Sequence, residues 1–359
     1  MQHANHHRTE HTATPTPPDL GRYQRQMRYP PLGESGQRKL AASRALLCGC
    51  GALGSLLAST LARAGVGMLR IVDRDFVETS NLQRQVLFDE QDVENQLPKA
   101  VAAAEKLRRI NSQIEIDPVV ADVDHTNIVR LSRDVDILVD GTDNFETRFL
   151  INDVAVRHGL PWVYGGCLGA DGQSMTILPG ETPCLTCLLQ DAPPPGTSPT
   201  CDTAGILGPV VGVIASLQAM EVIKILSGRR AAIHRGLYVV QLWDNQVRQI
   251  DLGTLREQVD CLTCKRREFP WLEGRRGRHT AVLCGRNAVQ LSHPGGPPVS
   301  LASLADQLRG IGRLTTNQYL LRLQVDDYQI TVFADGRAII GGTENLATAR
   351  SVYAKYIGS

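Results

Sequence analysis

The stretch from residue 49 to residue 144 constrains the fold of this 359-residue chain more than any other. It opens with Gly-Cys-Gly-Ala-Leu-Gly at residues 49–54. It continues through Ile-Val-Asp-Arg-Asp at 71–75 and Asn-Leu-Gln-Arg-Gln at 81–85. Pro98-Lys99 follows, and Asp-Gly-Thr-Asp-Asn at 140–144 closes it. Arg44–Cys48 is a short apolar run of the kind that forms a buried parallel strand, and Ala52–Ala64 has a helix pattern. Gly49, Gly51 and Gly54 between them permit a tight turn and let the backbone approach a phosphate at the helix N-terminus. Residues 68–72 form the next strand and end at Asp73, 19 residues past Gly54, where an acid commonly holds a ribose hydroxyl.

The loop alone does not separate a dinucleotide from ATP; the later residues do. Asn81, Arg84 and Gln85 bring two neutral hydrogen-bonding groups and a cation to the carboxyl ends of the strands, where ligands of such sheets bind. Lys99 begins a helix over residues 100–109 and can neutralise a phosphate oxygen or a leaving pyrophosphate. Residues 135–139 form another buried strand ending in Asp140 and Asp143, and a carboxylate there can hold Mg²⁺ through one ligand plus waters. Hydride transfer needs no such set, so an NAD-linked oxidoreductase is the weaker alternative and chemistry at the α-phosphate the stronger one.

These markers, with Arg-Tyr-Gln-Arg-Gln at 22–26 and two Cys-x-x-Cys pairs, resemble the ThiF/MoeB/HesA family, bacterial relatives of ubiquitin-activating enzymes. The likeness runs from Gly21 to about Cys264. It implies a Rossmann-like α/β fold, a mixed sheet with helices on both faces, stapled by zinc. It also implies ATP-dependent adenylation of the C-terminal Gly-Gly carboxylate of a ubiquitin-fold sulfur carrier, ThiS- or MoaD-like, for thiamine or molybdopterin synthesis. By the same resemblance Gly51 and Gly54 lie against the phosphates, Asp73 takes the ribose, and Asn81, Arg84, Gln85 and Lys99 contact the triphosphate. Asp143 holds magnesium, and Arg25 reaches the γ-phosphate on the other subunit of a homodimer. Adenylation of another peptide or carboxylate is the nearer alternative.

The chain has nine cysteines. Cys184-Leu-Thr-Cys187 and Cys261-Leu-Thr-Cys264 supply four thiolates, enough for a tetrahedral structural Zn²⁺. The 73 residues between the pairs join distant parts of the chain, and the resemblance places zinc here too. A redox dithiol or two disulfides are the alternatives. No apolar leader core precedes the domain, so a cytoplasmic, reducing setting is expected, which disfavours disulfides. Cys201 lies in a proline-rich segment, residues 193–209, read as an exposed loop. A thiol there can attack an acyl-adenylate or hand on sulfur from a cysteine desulfurase or other donor. Its surroundings, Thr200 to Pro209, lean towards the ThiF-like branch.

Composition sets limits. A net charge of +1 favours neither nucleic acid nor a membrane surface. Residues 1–20 hold four of the nine histidines and read as a disordered tail. Residues 204–220 carry no charge, yet at 17 residues they read as a buried helix rather than a membrane span. An adenylation domain is expected over 21–271, a basic linker over 272–279, and a small C-terminal α/β domain over 280–359, with Cys284 its one reactive-looking residue.

Overall fold

The computed structural model describes residues 19–193, 201–276, 280–283, 287–291 and 299–358. Most of the histidine-rich tail, residues 277–279 of the expected linker, and Cys284 lie outside the described residues.

Five strands run parallel: β1 (Arg44–Cys48), β2 (Met68–Asp73), β3 (Glu115–Val120), β4 (Ile137–Asp140) and β5 (Trp162–Leu168). Three more, β6 (Asp171–Ile177), β7 (Leu237–Gln241) and β8 (Gln246–Ile250), continue the sheet antiparallel. The order is β3-β2-β1-β4-β5-β6-β7-β8. Leu46, Leu47, Leu138 and Val139 are fully buried, as central strands covered on both faces require. Helices Ala52–Ala64, Lys99–Ile110 and Gly208–Leu226 share one core on one face of the sheet. Helices Phe145–His158 and Leu185–Leu189 pack in a second core on the other. The strand order reverses between β1 and β4, so a crevice opens at their carboxyl ends, the place where open α/β sheets bind ligands.

Helix Phe145–His158 leads into β5 at Trp162. Two readings shift. The uncharged segment, 204–220, begins at the last residue of a short helix, Cys201–Ala204, and continues into helix Gly208–Leu226, which runs on past Glu221 and Lys224. The longer helix has the length and apolarity to cross a membrane, but it packs on helix Ala52–Ala64, β5 and β6 as a core element. Leu272, first residue of the expected linker, is buried in the second core.

The C-terminal module is a six-stranded antiparallel sheet. Its strands are β9 (Thr280–Leu283), β10 (Ala288–Leu291), β11 (Arg313–Thr316), β12 (Leu320–Val325), β13 (Tyr328–Phe333) and β14 (Ala338–Gly341), ordered β11-β12-β13-β14-β10-β9. Helices Leu301–Gln307 and Leu346–Tyr356 cover its third core.

Candidate active site and metal centre

Three glycines make the crevice floor. Gly49 has φ +87°, and a Cβ on it would meet the Gly141 carbonyl oxygen at 2.6 Å. A Cβ on Gly54 would meet the Gly49 oxygen at 2.0 Å, and one on Gly141 the same oxygen at 2.4 Å. These three let β1, β4 and helix Ala52–Ala64 touch through bare backbone. Gly51 differs: the nearest atom to a Cβ there is Gln85 Nε2, at 3.9 Å. Gly51 is the N-cap of helix Ala52–Ala64, so its open side faces the positive end of that helix.

Gln85 is buried beside it, and its Oε1 has no hydrogen-bond partner among the described residues. A buried orphan of this kind costs free energy unless a ligand uses it. Asp73 is buried at the end of β2; its Oδ2 accepts the Cys50 N–H at 2.6 Å and its Oδ1 the Asp75 N–H at 2.7 Å. Burial pushes this carboxyl above its usual range, with the Lys99 ammonium acting against the rise. Lys99, buried at the first turn of its helix, lies 3.2 Å from Asp75 Oδ2. Asn81 is buried and its Oδ1 accepts the Glu78 N–H, while Arg84 donates to the Ser80 carbonyl at 2.9 Å.

At the end of β4 the two acids part company. Asp140 is fully buried. It accepts the Arg148 guanidinium at 3.2 Å and the Thr142 N–H and hydroxyl at 2.9 and 2.7 Å. It is a brace and not a metal ligand. Asp143, the exposed one, stands in the field of Arg74 and Arg148. The structure thus brings the glycine loop, Asp73, Asn81, Arg84, Gln85, Lys99 and Asp143 to the strand carboxyl ends. It does not bring Arg25: the adjacent Gln26 donates to the Ala64 carbonyl at 2.9 Å. That is the far end of a 13-residue helix, about 20 Å from the loop.

Sequence reasoning missed Gly141, Asp75 and Arg148. Arg148 also donates to the Thr142 and Gly165 carbonyls at 2.7 and 3.1 Å, fixing the turn before Asp143. Nothing local in the sequence of helix Phe145–His158, which also carries Arg157, sets Arg148 apart. Cys50, inside the glycine loop, is fully buried; burial pushes its thiol up. Cys201, expected on an exposed loop, is half-buried with its Sγ 3.7 Å from the Cys167 carbonyl oxygen. Burial pushes the neighbouring Cys167 thiol up to about 12.

The four remaining cysteines converge. Cys184 Sγ lies 3.8 Å from Cys187 Sγ and 3.6 Å from Cys261 Sγ, and Cys187 Sγ lies 3.4 Å from Cys264 Sγ. All four sulfurs fall within 4.8 Å of one another. Tetrahedral zinc with Zn–S bonds of about 2.3 Å sets its sulfurs roughly 3.8 Å apart, so the donor set fits a structural zinc. Hydrogen bonds among the sulfurs drive Cys261 and Cys264 towards the thiolate and Cys184 towards the thiol, so the cluster titrates as one unit. The two Cys-Leu-Thr-Cys turns also join through their threonines, Thr186 and Thr263 hydroxyls 3.0 Å apart. Asn152 and Asp153 of helix Phe145–His158 hold the turns from behind.

Residues 23–263 match the ThiF family; the chain belongs to that family and is an adenylyltransferase. It is 45% identical over 339 residues to the sulfur carrier protein ThiS adenylyltransferase of Bacillus subtilis, covering 94% of this chain and 99% of that one. It is 39% identical to the SAMP-activating enzyme E1 of Haloferax volcanii, over 68% of this chain and 88% of the relative. Among solved structures, E. coli MccB with MccA-N7isoASN shares the fold at TM-score 0.59 and 24% identity, covering 69% of this chain and 75% of that one.

Proposed function

We propose that the chain adenylates the C-terminal Gly-Gly carboxylate of a ubiquitin-fold sulfur carrier, and that the carrier is ThiS-like, serving thiamine synthesis. The observation that carries the reaction is the crevice at β1 and β4, with an open Gly51 face, a Gln85 Oε1 that has no partner among the described residues, and the buried Lys99 at the strand carboxyl ends. Support for the thiamine branch comes from the alignment with the ThiS adenylyltransferase. At 339 residues it must run into the C-terminal module, whereas the likeness to the archaeal relative covers 68% of the chain.

The chemistry follows from the charges. A carrier carboxylate oxygen attacks the α-phosphorus of ATP. A new P–O bond forms, the bond to the β-phosphate oxygen breaks, and pyrophosphate departs with that electron pair. A carboxylate is already ionised at neutral pH, so no general base is needed; the requirement is to align two anions and neutralise the leaving group. Lys99 and Arg84 supply fixed positive charge, the first turn of helix Ala52–Ala64 faces the phosphates with its N–H groups, and Asp73 orients the ribose. Asp143 would hold Mg²⁺, which spreads the charge of the departing pyrophosphate. The cysteine cluster would hold Zn²⁺ as a staple, away from the reaction.

A homodimer completes the reading, with Arg25 acting across it. The outer face of helix Gly208–Leu226 carries the half-buried Val213 and Leu217 and the exposed Met220, an apolar stripe at helical spacing. Cys201 and a cysteine desulfurase or other sulfur donor belong to the step after adenylation.

The test is ATP–pyrophosphate exchange with purified ThiS-like and MoaD-like carriers, each with and without its last glycine. Exchange that depends on the ThiS-like Gly-Gly end is the expected result; exchange with the MoaD-like carrier alone overturns the thiamine branch. Mixing inactive Arg25→Ala and Lys99→Ala proteins should restore about a quarter of normal exchange, since half of the dimers then hold one intact site. No restoration would remove Arg25 from the partner's site.

A further inference from the structure

The segment from Arg74 to Glu78 joins Asp73 to Asn81, two residues of the proposed ATP site, and the C-terminal module grips it at both ends. Arg337 is buried and aims both terminal guanidinium nitrogens at the Arg74 carbonyl, 3.4 Å away. It is held on its own side by Asp335 at 2.7 Å and by stacking on Phe333. Gln290, also buried, donates to Asp122 Oδ2 at 2.8 Å. Asp122 in turn pairs with the Arg74 guanidinium at 3.3 Å, and Arg74 lies 3.9 Å from Asp75, the partner of Lys99. At the other end, the Arg322 guanidinium stacks on the Phe76 ring at 4.3 Å. Its charge interacts with Glu78, whose side chain caps the 3₁₀ turn Thr79–Asn81. A further contact, Asn317 to the carbonyls of Asn95 and Gln96 at 3.3 and 3.2 Å, holds the loop that leads to Lys99.

We propose that Arg322 and Arg337 of the C-terminal module are positioning residues for the ATP site: they set the course of residues 74–78 and so the placement of Asp73, Lys99 and Asn81. Neither arginine belongs to the crevice itself; each acts through the segment it holds. The half-buried Arg322 explains why the contact is specific. Its Nε and Nη2 have no hydrogen-bond partner among the described residues, so the ring face of Phe76 is the feature that receives this cation. A module that served only as a passive tail would not place a poorly hydrated cation there. The module therefore tunes nucleotide affinity. This inference rests on the adenylation reading for its consequence but not for its measurement.

The experiment uses the full chain with Arg337→Ala, Arg322→Ala, the double variant, and Arg322→Lys. ATP binding is measured directly by equilibrium dialysis without any carrier, and exchange kinetics and thermal unfolding are measured on the same proteins. The double variant should bind ATP about ten-fold more weakly, with ATP KM rising in step while kcat and carrier KM stay within about two-fold. Arg322→Lys should recover part of the loss, because an ammonium over Phe76 keeps a cation–π contact. Unchanged ATP affinity in the folded double variant overturns the proposal. So does a fall in kcat with a rise in both KM values that tracks a lowered Tm. Failure of exchange with every carrier, with the ATP-binding loss intact, would reject the carrier reading and leave the positioning role standing.

Discussion

Gln85 Oε1 lies buried beside Gly51 with no partner among the described residues, whereas the polar groups behind the four thiols are matched. Thr186 meets Thr263 and Asn152, Asn152 also receives the Leu185 N–H, and Asp153 receives those of Trp271 and Leu272. Both regions are built from side chains far apart in sequence. One leaves hydrogen-bonding capacity and backbone surface open towards a crevice; the other closes on itself. An open set is what a transient substrate needs, because the protein does not satisfy those groups without it. A closed set is what a structural ion needs, because each thiolate must be fixed in geometry and shielded from water. The difference predicts that damage to the first removes activity and leaves the fold, and damage to the second removes the fold.

The largest effect should come from the closed region. Cys261→Ser, or zinc withdrawal by a strong chelator, should lower the unfolding temperature sharply and abolish exchange as a consequence. Structural zinc contributes on the order of 10 kcal/mol in small zinc peptides, more than any single side chain can. Calorimetry with metal analysis checks this. A chelated, zinc-free chain with an unchanged Tm would break the comparison at its base.

Next come the cations and the acid of the open region. Lys99→Ala and Asp143→Ala should each slow pyrophosphate exchange by roughly 10²–10³-fold, about 2.7–4 kcal/mol in the transition state. Tm should hold in both, because Asp75 keeps Arg74 at 3.9 Å when Lys99 is gone and Asp143 is exposed. Normal exchange in either variant would remove that residue from the chemistry. Arg148→Ala should instead behave like a lesion of the closed kind, costing about 3–5 kcal/mol of stability by leaving the buried Asp140 charge unpaired.

The glycines sharpen the contrast within a single loop. Gly54→Ala drives its Cβ to 2.0 Å from the Gly49 carbonyl oxygen, and overpacking of this order costs about 1–3 kcal/mol. Gly51→Ala meets nothing closer than 3.9 Å, so Tm should stay within about a degree or two while ATP binding weakens, the new methyl standing where a phosphate would lie. Equal losses of stability in both variants would show that Gly51 serves packing like its neighbours.

The sequence shows the open region better than the closed one. Glycine spacing, the acid at the end of β2 and the Pro-Lys dipeptide are local signals, and each sits at a strand end that an apolar run announces. Helix Ala52–Ala64 and strand β1 follow from periodicity with their observed bounds. The four cysteines were legible as a set because two identical Cys-Leu-Thr-Cys turns repeat. What supports them was not. Helix Phe145–His158 is buried along nine of its 14 residues, so it shows no apolar stripe, and Arg148, Asn152 and Asp153 in it read as ordinary polar residues. Nor does anything local mark Arg322 or Arg337, whose contacts lie more than 240 residues away in sequence.

The smallest expected effect tests whether the closed region is complete. Asp153 is fully buried, and burial pushes its carboxyl from 3.8 up to about 7. The folded chain then binds a proton that the unfolded chain lacks between those values, so this group's contribution to stability is lost as pH rises through about 7. Asp153→Asn keeps an oxygen for the Trp271 and Leu272 N–H groups, and the Thr263 hydroxyl can accept from the new amide and donate to Thr186. The variant should therefore be the more stable protein by about 1–2 kcal/mol at pH 8, with the wild type catching up as pH falls to roughly 5.5. Urea unfolding in excess zinc, read as the difference between the two proteins, measures this apart from the titration of the thiols. Parallel stability curves across that range would mean that the carboxyl stays ionised among its donors. The matched network behind the cysteines would then hold a charge as well as satisfy hydrogen bonds.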